Sequence, residues 1–421
     1  MKARHFASAH SAKSLAVLLF FTGLVLGWGK LVLGRGVFGS VANAAETTAV
    51  DGANATQQPE TEQPEQIDVY VAGQDGYHTY RIPSVIVTQA GTVLAFCEGR
   101  VKGQGDSGDI DLLVKRSEDG GRTFSRQRVV WDDQGNTCGN PCPVAVRETG
   151  EILLLLTHNL GTDNERDIKA KTSRGTRTVW ISKSSDDGKT WSAPREITNE
   201  TKKPDWAWYA TGPGAGIQLR DGRIVIPCDH TPGGVEPGVR LYFSHVIFSD
   251  SRGDHWKIGG VVGPHCNECE AVELADGAVM LNMRNYKPAQ PHRAVAVSRD
   301  RGETFGPVTH DSTLIEPICQ ASIRRYSMPE GVRPGRILFS NPASRKREKL
   351  TVRLSLDEAQ TWCAARVLHE GPAAYSCLAV LPDGTVLCLY ERGEKHPYER
   401  ITLARFPIGW LESGRSTEPA N

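Results

Sequence analysis

The chain has no net charge, because its 49 lysines and arginines are balanced by 49 aspartates and glutamates. A balance of zero provides no general attraction to polyanions, so we expect no nucleic-acid partner. Helical periodicity is also scarce. Short runs rich in β-branched and aromatic residues alternate instead with clusters of Gly, Pro, Asn and Asp. With 421 residues to bury a large core, this pattern predicts an all-β protein.

Sets of metal ligands are scarce as well. The ten cysteines include two closely spaced pairs, Cys138 with Cys142 and Cys266 with Cys269. Neither pair has a histidine at the spacing of a zinc finger, so we expect structural or free thiols, no metal and no cofactor. An exported chain with an even number of cysteines could also form disulfides, and their pairing stays open.

The amino-terminal segment is typical of an export signal. Residues 1–44 combine a positively charged start, an apolar run at 15–28 and an A-x-A cleavage site at 42–44. The run is short for a membrane span, so we expect a periplasmic or secreted protein, with an uncleaved membrane anchor as the alternative. The composition of residues 45–66 predicts a disordered linker. Residues 413–421 are expected to form a flexible tail.

An octapeptide with the pattern Ser-x-Asp-x-Gly-x-Thr-aromatic recurs along the chain. It has three complete copies and two degenerate ones, at 117–124, 184–191, 298–305, 249–256 and 355–362. Asp can cap backbone N–H groups, Gly supplies a positive φ, and the terminal Trp or Phe can anchor the turn on a sheet. Each copy therefore predicts a turn between two strands. The spacing indicates one supersecondary unit per copy.

The stretch 80–106 predicts a β-hairpin with charged ends. Arg81 precedes a β-branched run at 85–87, and Arg100 ends the second apolar run. A Gly-rich loop then leads to Asp106. Two cations and a carboxylate at strand ends suggest a site for an anionic ligand, and a salt-bridged strand end is the alternative.

A second hairpin is predicted over residues 267–285, where two apolar runs flank an Asp-Gly turn. Glu268 begins the first strand and Arg284 ends the second. An antiparallel pair would bring both residues to one edge of the sheet. This places another arginine next to a carboxylate.

An aromatic cluster at 206–209 precedes a loop rich in Gly and Pro. It could form a rim on which a sugar ring stacks. It could equally pack in the core beside a turn. The sequence leaves both interpretations open.

Together these motifs resemble the exo-sialidases of the Asp-box glycoside hydrolase family. The resemblance rests on Arg-Ile-Pro at Arg81, an Asp 25 residues later, the repeated boxes, and Glu268 sixteen residues before Arg284. A late Arg, a Tyr and a Glu follow in that order. The resemblance implies a six-bladed β-propeller with Asp-box turns and a site at the mouth of its central channel. We place this domain at 67–412.

The resemblance further implies an arginine clamp for the carboxylate of the substrate. Arg81, Arg284 and Arg347 match the three clamp positions, and Glu391 matches the acid that braces the first of them. Arginine suits this task because its planar fork binds a carboxylate bidentately and stays charged. Arg345, two residues before Arg347, is the alternative for the third position.

The catalytic residues implied by the resemblance are Asp106, Glu268 and Tyr375. Tyr375 matches the nucleophile, Glu268 its general base and Asp106 the acid/base, while Arg100 would contact substrate hydroxyls or steady Asp106. The anomeric carbon of sialic acid bears a carboxylate that would repel an anionic nucleophile, whereas a phenol approaches as a neutral group. Val146 stands where many relatives carry an acid, so the acyl-group preference stays open.

The expected function is hydrolysis of terminal α-linked sialic acid from glycoconjugates, with retention and through a tyrosyl-enzyme intermediate. The expected partners are sialylated glycans, and we expect a monomer. A non-catalytic sialic-acid-binding propeller is one alternative, but it would not need Asp106, Glu268 and Tyr375 together. A trans-sialidase is the other.

Overall fold

The computed structural model describes residues 63–236, 238–287 and 289–415. The predicted export signal, most of the predicted linker and the last six residues of the predicted tail lie outside the described residues. None of the helices within these ranges is long and apolar enough to cross a membrane. The first described strand, β1 (Glu65–Val71), begins two residues before the predicted domain boundary.

The described strands fall into six blades, and the prediction of a six-bladed all-β propeller is confirmed. The first blade contains β2 (Thr79–Val87), β3 (Val93–Arg100), β4 (Ile110–Ser117) and β5 (Arg128–Trp131). The second contains β6 (Thr137–Ala145), β7 (Ile152–Asn159), β8 (Thr178–Ser184) and β9 (Arg195–Glu196). The third contains β10 (Trp206–Thr211), β11 (Ile217–Gln218), β12 (Ile224–Pro232), β13 (Phe243–Ser249) and β14 (Lys257–Val262).

The remaining three blades follow in chain order. The fourth contains β15 (Cys266–Glu273), β16 (Val279–Asn285), β17 (His292–Ser298) and β18 (Thr309–Ile315). The fifth contains β19 (Ser322–Ser327), β20 (Arg336–Pro342), β21 (Glu348–Ser355) and the first half of β22 (Ala364–Val380). The sixth contains the second half of β22, β23 (Val386–Arg392), β24 (Arg400–Phe406) and β1. Three short helices are α1 (Glu165–Ala170), α2 (Thr198–Thr201) and α3 (Ile408–Glu412).

Burial rises from the outer strands to the inner ones. Strands β2, β6, β10 and β15, which begin their blades, are buried along almost their whole length, whereas the outer strands β5 and β18 are largely exposed. The chain ends of the propeller meet in the sixth blade. There β1 pairs antiparallel with β24, so the strand nearest the amino terminus completes a sheet built from the carboxyl-terminal strands.

In each of the first five blades the octapeptide joins the last two strands, and each copy forms a turn between strands as the sequence predicted. In the second blade, Asp186 accepts hydrogen bonds from the backbone N–H and the hydroxyl of Thr190, at 2.8 and 2.6 Å. The hydroxyl of Ser184 donates to the same carboxylate at 2.9 Å. In the degenerate copy of the third blade, the hydroxyl of Ser251 replaces the carboxylate and accepts from the His255 N–H at 2.9 Å. The polar groups of each of these two turns therefore find hydrogen-bond partners within the same octapeptide.

Candidate active site

The predicted catalytic and clamp residues line one cavity of about 230 Å³. Arg81, Arg100, Asp106, Glu268, Arg284, Arg347 and Tyr375 all lie in its wall. None of the box aspartates Asp119, Asp186 and Asp300 is among the lining residues. These seven residues come from four blades, and the full set of lining residues comes from all six.

Irregularities in the innermost strands place these side chains in the cavity. The pairing register shifts beside Arg81 in β2, beside Asn140 in β6, beside Trp208 in β10, beside Glu268 in β15 and beside Tyr375 in β22. A β-bulge re-aims one side chain and breaks the strict alternation of faces. All five residues face the cavity from strands that are otherwise packed in the core.

Tyr375 and Glu268 form the closest pair in the site. The Tyr375 hydroxyl donates a hydrogen bond of 2.5 Å to Glu268 Oε1. Arg284 Nη1 lies 2.5 Å from Glu268 Oε2 and 3.0 Å from the Tyr375 oxygen. Burial and the charge of Glu268 raise the pKa of Tyr375 well above its usual value, against the opposing charge of Arg284. The phenol is therefore protonated, with a carboxylate in place to accept its proton.

Arg81 forms a buried ion pair with Glu391. The Arg81 Nε donates to Glu391 Oε1 at 2.7 Å, and both side chains are almost fully buried. The same carboxylate accepts from the backbone N–H groups of Ile82, at 2.9 Å, and Tyr375, at 3.1 Å. Ile82 has a φ of 61°, a strained value for a β-branched residue. One buried carboxylate thereby fixes the first predicted clamp residue and the backbone of the predicted nucleophile.

Arg347, the residue predicted for the third clamp position, lines the cavity, whereas the alternative Arg345 does not. Arg347 Nη1 donates to the Tyr398 hydroxyl at 2.6 Å, and its Cζ lies 5.6 Å from the centre of the Tyr375 ring. Arg345 is exposed and is absent from the cavity wall. The Cζ of Arg81 lies 5.2 Å from the same ring centre. The predicted clamp residues therefore surround Tyr375.

Arg100 joins Asp106 to a buried glutamate. Its guanidinium contacts Glu98 Oε2 at 2.6 Å and Asp106 Oδ1 at 2.8 Å. The Asp106 side chain is 69 % exposed at the mouth, while those of Arg100 and Glu98 are buried. Limited hydration raises the pKa of Asp106, but the charges of Arg100 and Arg81 outweigh this effect and lower it. The lowered pKa makes Asp106 a carboxylate at neutral pH.

A buried network behind this pair was not predicted from the sequence. Glu98 Oε1 accepts from the Asn140 N–H at 2.9 Å, and the Asn140 side chain accepts from Thr157 and Arg177. Arg177 is buried and forms no ion pair with any described residue, and burial lowers its pKa to about 10. Glu98 could have been found because it lies two residues before Arg100, on the same face of a strand. Arg177 stands in no recognised motif.

The side of the cavity formed by the third and fourth blades adds several further polar residues. Asp229 is buried, its Oδ1 accepts from the Asn267 side chain at 2.6 Å, and its Oδ2 has no partner among the described residues. Burial and the charge of Glu268 raise the pKa of Asp229 well above its usual value. Tyr242 and Tyr286 stack with ring centres 4.5 Å apart. No sequence pattern pointed to these four residues, because they come from four separate segments of the third and fourth blades.

Of the aromatic residues at 206–209, some pack in the core and one lines the cavity, so each of the two interpretations left open by the sequence holds for part of the cluster. Trp206 stacks on His230 with ring centres 3.5 Å apart, and Tyr209 is fully buried. Trp208 lines the cavity and lies 4.0 Å from the Arg177 guanidinium carbon. Val146 is fully buried in a hydrophobic cluster and does not line the cavity.

Comparison with known proteins agrees with this arrangement. Residues 91–388 match the family described as BNR repeat-like domain. The chain is 35% identical to the sialidase of Micromonospora viridifaciens, over 88% of this chain and 58% of that protein. It is 32% identical to the exo-alpha-sialidase of Aspergillus fumigatus, over 80% of this chain and 86% of the relative.

A solved structure, the Hadza microbial sialidase Hz136, superposes with a TM-score of 0.74 at 30% identity. The match covers 82% of this chain and 69% of that one. The chain spans less than two thirds of the Micromonospora protein and of the Bacteroides fragilis sialidase, of which it covers 63%. The family match and the extent of identity show that this chain belongs to the sialidase family of BNR-repeat proteins.

Proposed function

We propose that this chain is an exo-sialidase that hydrolyses terminal α-linked sialic acid from glycoconjugates. The hydrogen bond between Tyr375 and Glu268, enclosed by three arginines in one cavity, is the observation that carries the proposal. Membership of the sialidase family supports it. The proposed reaction proceeds with retention of configuration through a tyrosyl-enzyme intermediate.

The substrate carboxylate would bind among the three arginines. The Nε of Arg81 donates its hydrogen bond to Glu391. The two terminal nitrogens of Arg81 make no hydrogen bond to any described residue. They are therefore available to an incoming carboxylate. Arg284 contacts the Tyr375 oxygen at 3.0 Å, and the Arg347 Cζ lies 5.6 Å from the centre of the Tyr375 ring. Charge-assisted pairing with these arginines would hold the anomeric carbon above Tyr375.

The first step is attack by the Tyr375 oxygen on the anomeric carbon. Because the pKa of the phenol is raised, the attacking oxygen must lose its proton as the new bond forms. Glu268 Oε1, 2.5 Å away, accepts that proton. Arg284 contacts both groups and would stabilise the negative charge on the tyrosine oxygen.

Departure of the aglycone requires a proton from Asp106. Burial raises its pKa, but the charges of Arg100 and Arg81 outweigh that effect and hold the pKa below its usual value. A substrate carboxylate bound to Arg81 would cancel part of this positive charge and raise the pKa of Asp106. Substrate binding would thereby favour the protonated acid that the step needs. In the second step the ionised Asp106 would activate the water that releases the sugar.

The decisive test of activity is release of the product from a fluorogenic aryl sialoside. The wild-type chain should hydrolyse it, and the first product followed by NMR should be the α-anomer. Sialyl-lactose with and without an added sugar acceptor would distinguish hydrolysis from transfer. A chain that binds a sialic acid analogue but releases no product would be a binding propeller. A β-anomer formed first would contradict the double displacement.

We also propose that the protein is exported to the periplasm or secreted, on the strength of the composition of residues 1–44. Fractionation of expressing cells, with mass measurement of the mature amino terminus, tests this proposal. Cleavage after Ala44 supports export. An intact amino terminus in the membrane fraction supports the alternative of an anchor.

A further inference from the structure

A second cavity, of about 500 Å³, lies beside the candidate active site and takes no part in the proposed reaction. It is formed by the loop after α1, by α2 and by the start of β10. Four basic residues line it, and none of its lining residues is acidic: the basic residues are Lys171, Arg174, Lys202 and Lys203. A cavity lined by one sign of charge concentrates ions of the opposite sign.

The charges of these four residues are not balanced by ion pairs. Across the part of the chain that the structure describes, none of the four lies within salt-bridge distance of a carboxylate. Lys202 is buried, and its Nζ donates to three uncharged oxygens, those of the Thr176 hydroxyl and two backbone carbonyls. Burial lowers the pKa of Lys202 to about 7, so the exposed Lys171, Arg174 and Lys203 supply most of the positive charge of the cavity at neutral pH.

The other lining groups resemble those of sugar-binding sites. Hydroxyl and amide groups of Ser173, Thr176 and Asn199 can exchange hydrogen bonds with sugar hydroxyls. A volume of about 500 Å³ is within the range that binds a small ligand. Cations beside hydroxyl-binding groups are the combination that an acidic sugar requires.

Only a thin wall separates this cavity from the candidate active site. Ile168 and Ala207 line the basic cavity and pack against Trp208, which lines the catalytic one. The backbone carbonyl of Arg177 accepts from Lys202, while the Arg177 guanidinium lies in the catalytic cavity. A branched or extended glycan could therefore place one sugar in each cavity.

We infer that this cavity binds a second acidic sugar of the glycan, through a carboxylate or a sulfate ester. The inference rests on the proposed function only for the claim that both sugars belong to one glycan. Binding of an acidic sugar to the cavity itself follows from its charge and lining. Such a site would make the protein prefer polyanionic sialoglycans over those with a single charge.

The test uses a triple variant, Lys171→Gln, Arg174→Gln and Lys203→Gln, in the full chain. A matched control removes three exposed cations elsewhere, through Arg126→Gln, Lys189→Gln and Lys257→Gln, so both proteins lose the same charge. Calorimetric titration measures binding of a chondroitin sulfate oligosaccharide and of an oligogalacturonate. A saturating sialic acid analogue blocks the clamp arginines. The two probes distinguish sulfate esters from carboxylates.

Wild type and control should bind at least one probe, and the triple variant should bind it at least about tenfold more weakly. The kcat/KM on an aryl sialoside should stay within about twofold in all three proteins. Equal binding by variant and control, or no binding by wild type, would overturn the inference. If the wild type hydrolyses no sialoside but the variant still loses the probe, the proposed function fails and the acidic-sugar site stands.

Discussion

The Asp-box turns and the cavity of the candidate active site are held together by contacts of opposite range in the sequence. In a box, the aspartate bonds to residues no more than four positions away, as Asp186 does with Thr190. In the cavity, Tyr375 contacts Glu268 across 107 positions, and Arg81 contacts Glu391 across 310. The turns repeat along the chain, whereas the set of side chains in the catalytic cavity occurs once among the described residues and is largely buried. A substitution in one Asp box should therefore disturb only that turn. The cavity, by contrast, requires the blades that carry its side chains to be folded and correctly placed.

This difference predicts where mutations should affect chemistry. The largest effect is expected for Tyr375→Phe and Glu268→Gln, which remove the proposed nucleophile and its proposed base. Each should lower kcat by about 10²–10⁴-fold while leaving affinity for a sialic acid analogue largely intact, because the arginines remain. The double variant should be little worse than either single one, since both groups serve one step. Steady-state kinetics and analogue binding measure these effects.

Tyr398→Phe is the matched control for the loss of a phenol hydroxyl. It removes only the acceptor that contacts Arg347, so kcat should fall far less than in Tyr375→Phe. Equal losses in the two variants, or normal turnover by Tyr375→Phe, would remove Tyr375 from the reaction.

Asp106→Asn should distinguish substrates by their leaving groups. A natural sialyl-lactose needs a proton on its departing oxygen, so its kcat/KM should fall by about 10²–10⁴-fold. An activated aryl sialoside needs little protonation and should be hydrolysed far better by the same variant. The ratio of the two rates, compared with wild type, is the measurement. An equal loss on both substrates would contradict the role of Asp106 as the acid.

Arg284→Ala should weaken binding more than a mutation of a nearby exposed arginine. Losing one charge-assisted contact should cost about 1.5–3 kcal/mol of binding free energy for a sialic acid analogue. Arg345→Ala, at a position outside the cavity, should change that free energy by less than about 0.5 kcal/mol. Calorimetry with both variants checks the difference. Unchanged affinity in Arg284→Ala would exclude it from the clamp.

The smallest effect is expected in a turn. Asp186→Ala should reduce the free energy of unfolding by about 1–2 kcal/mol and leave kcat/KM unchanged. Asp186→Ser should lose less, because a serine fulfils the same task in the degenerate copy at Ser251. Chemical denaturation and kinetics of the two variants test whether the turns matter only for stability.

The same turn has a predictable dependence on pH. Hydrogen bonds from Thr190 lower the pKa of Asp186 to about 2. A carboxyl with a lowered pKa stabilises the folded state fully above about pH 4 and loses that contribution as the pH falls through 2. The difference in unfolding free energy between wild type and Asp186→Ala should therefore shrink between about pH 4 and pH 2. A difference that stays constant with pH would contradict this explanation.

The sequence predicted the parts of the molecule whose interactions are local or whose spacing is distinctive. The box turns and the hairpin ending at Arg100 follow from turn chemistry and alternation. The resemblance also supplied Glu268, Arg284 and Tyr375, which the structure brings together. Arg177 was not predicted, because its partners Thr157 and Asn140 lie on other strands and form no motif.

The bulges were also beyond prediction from the sequence. Ile82 and Asn140 have positive φ values, although neither is a glycine. Only contacts across the propeller impose these conformations. In β2, Glu391 from the sixth blade accepts the N–H of Ile82. The bulge residues that direct side chains toward the cavity are therefore the hardest to predict from local sequence patterns.

The central claim is that this cavity makes Tyr375 a nucleophile, and trapping the intermediate tests it most directly. A fluorinated sialic acid analogue with a good leaving group should accumulate a covalent adduct, because the fluorine slows its breakdown. Mass mapping of the digested protein should place one added sugar on the peptide that contains Tyr375, and on no other peptide. An adduct on Glu268 or Asp106, or fast turnover with the modification found elsewhere, would contradict the claim.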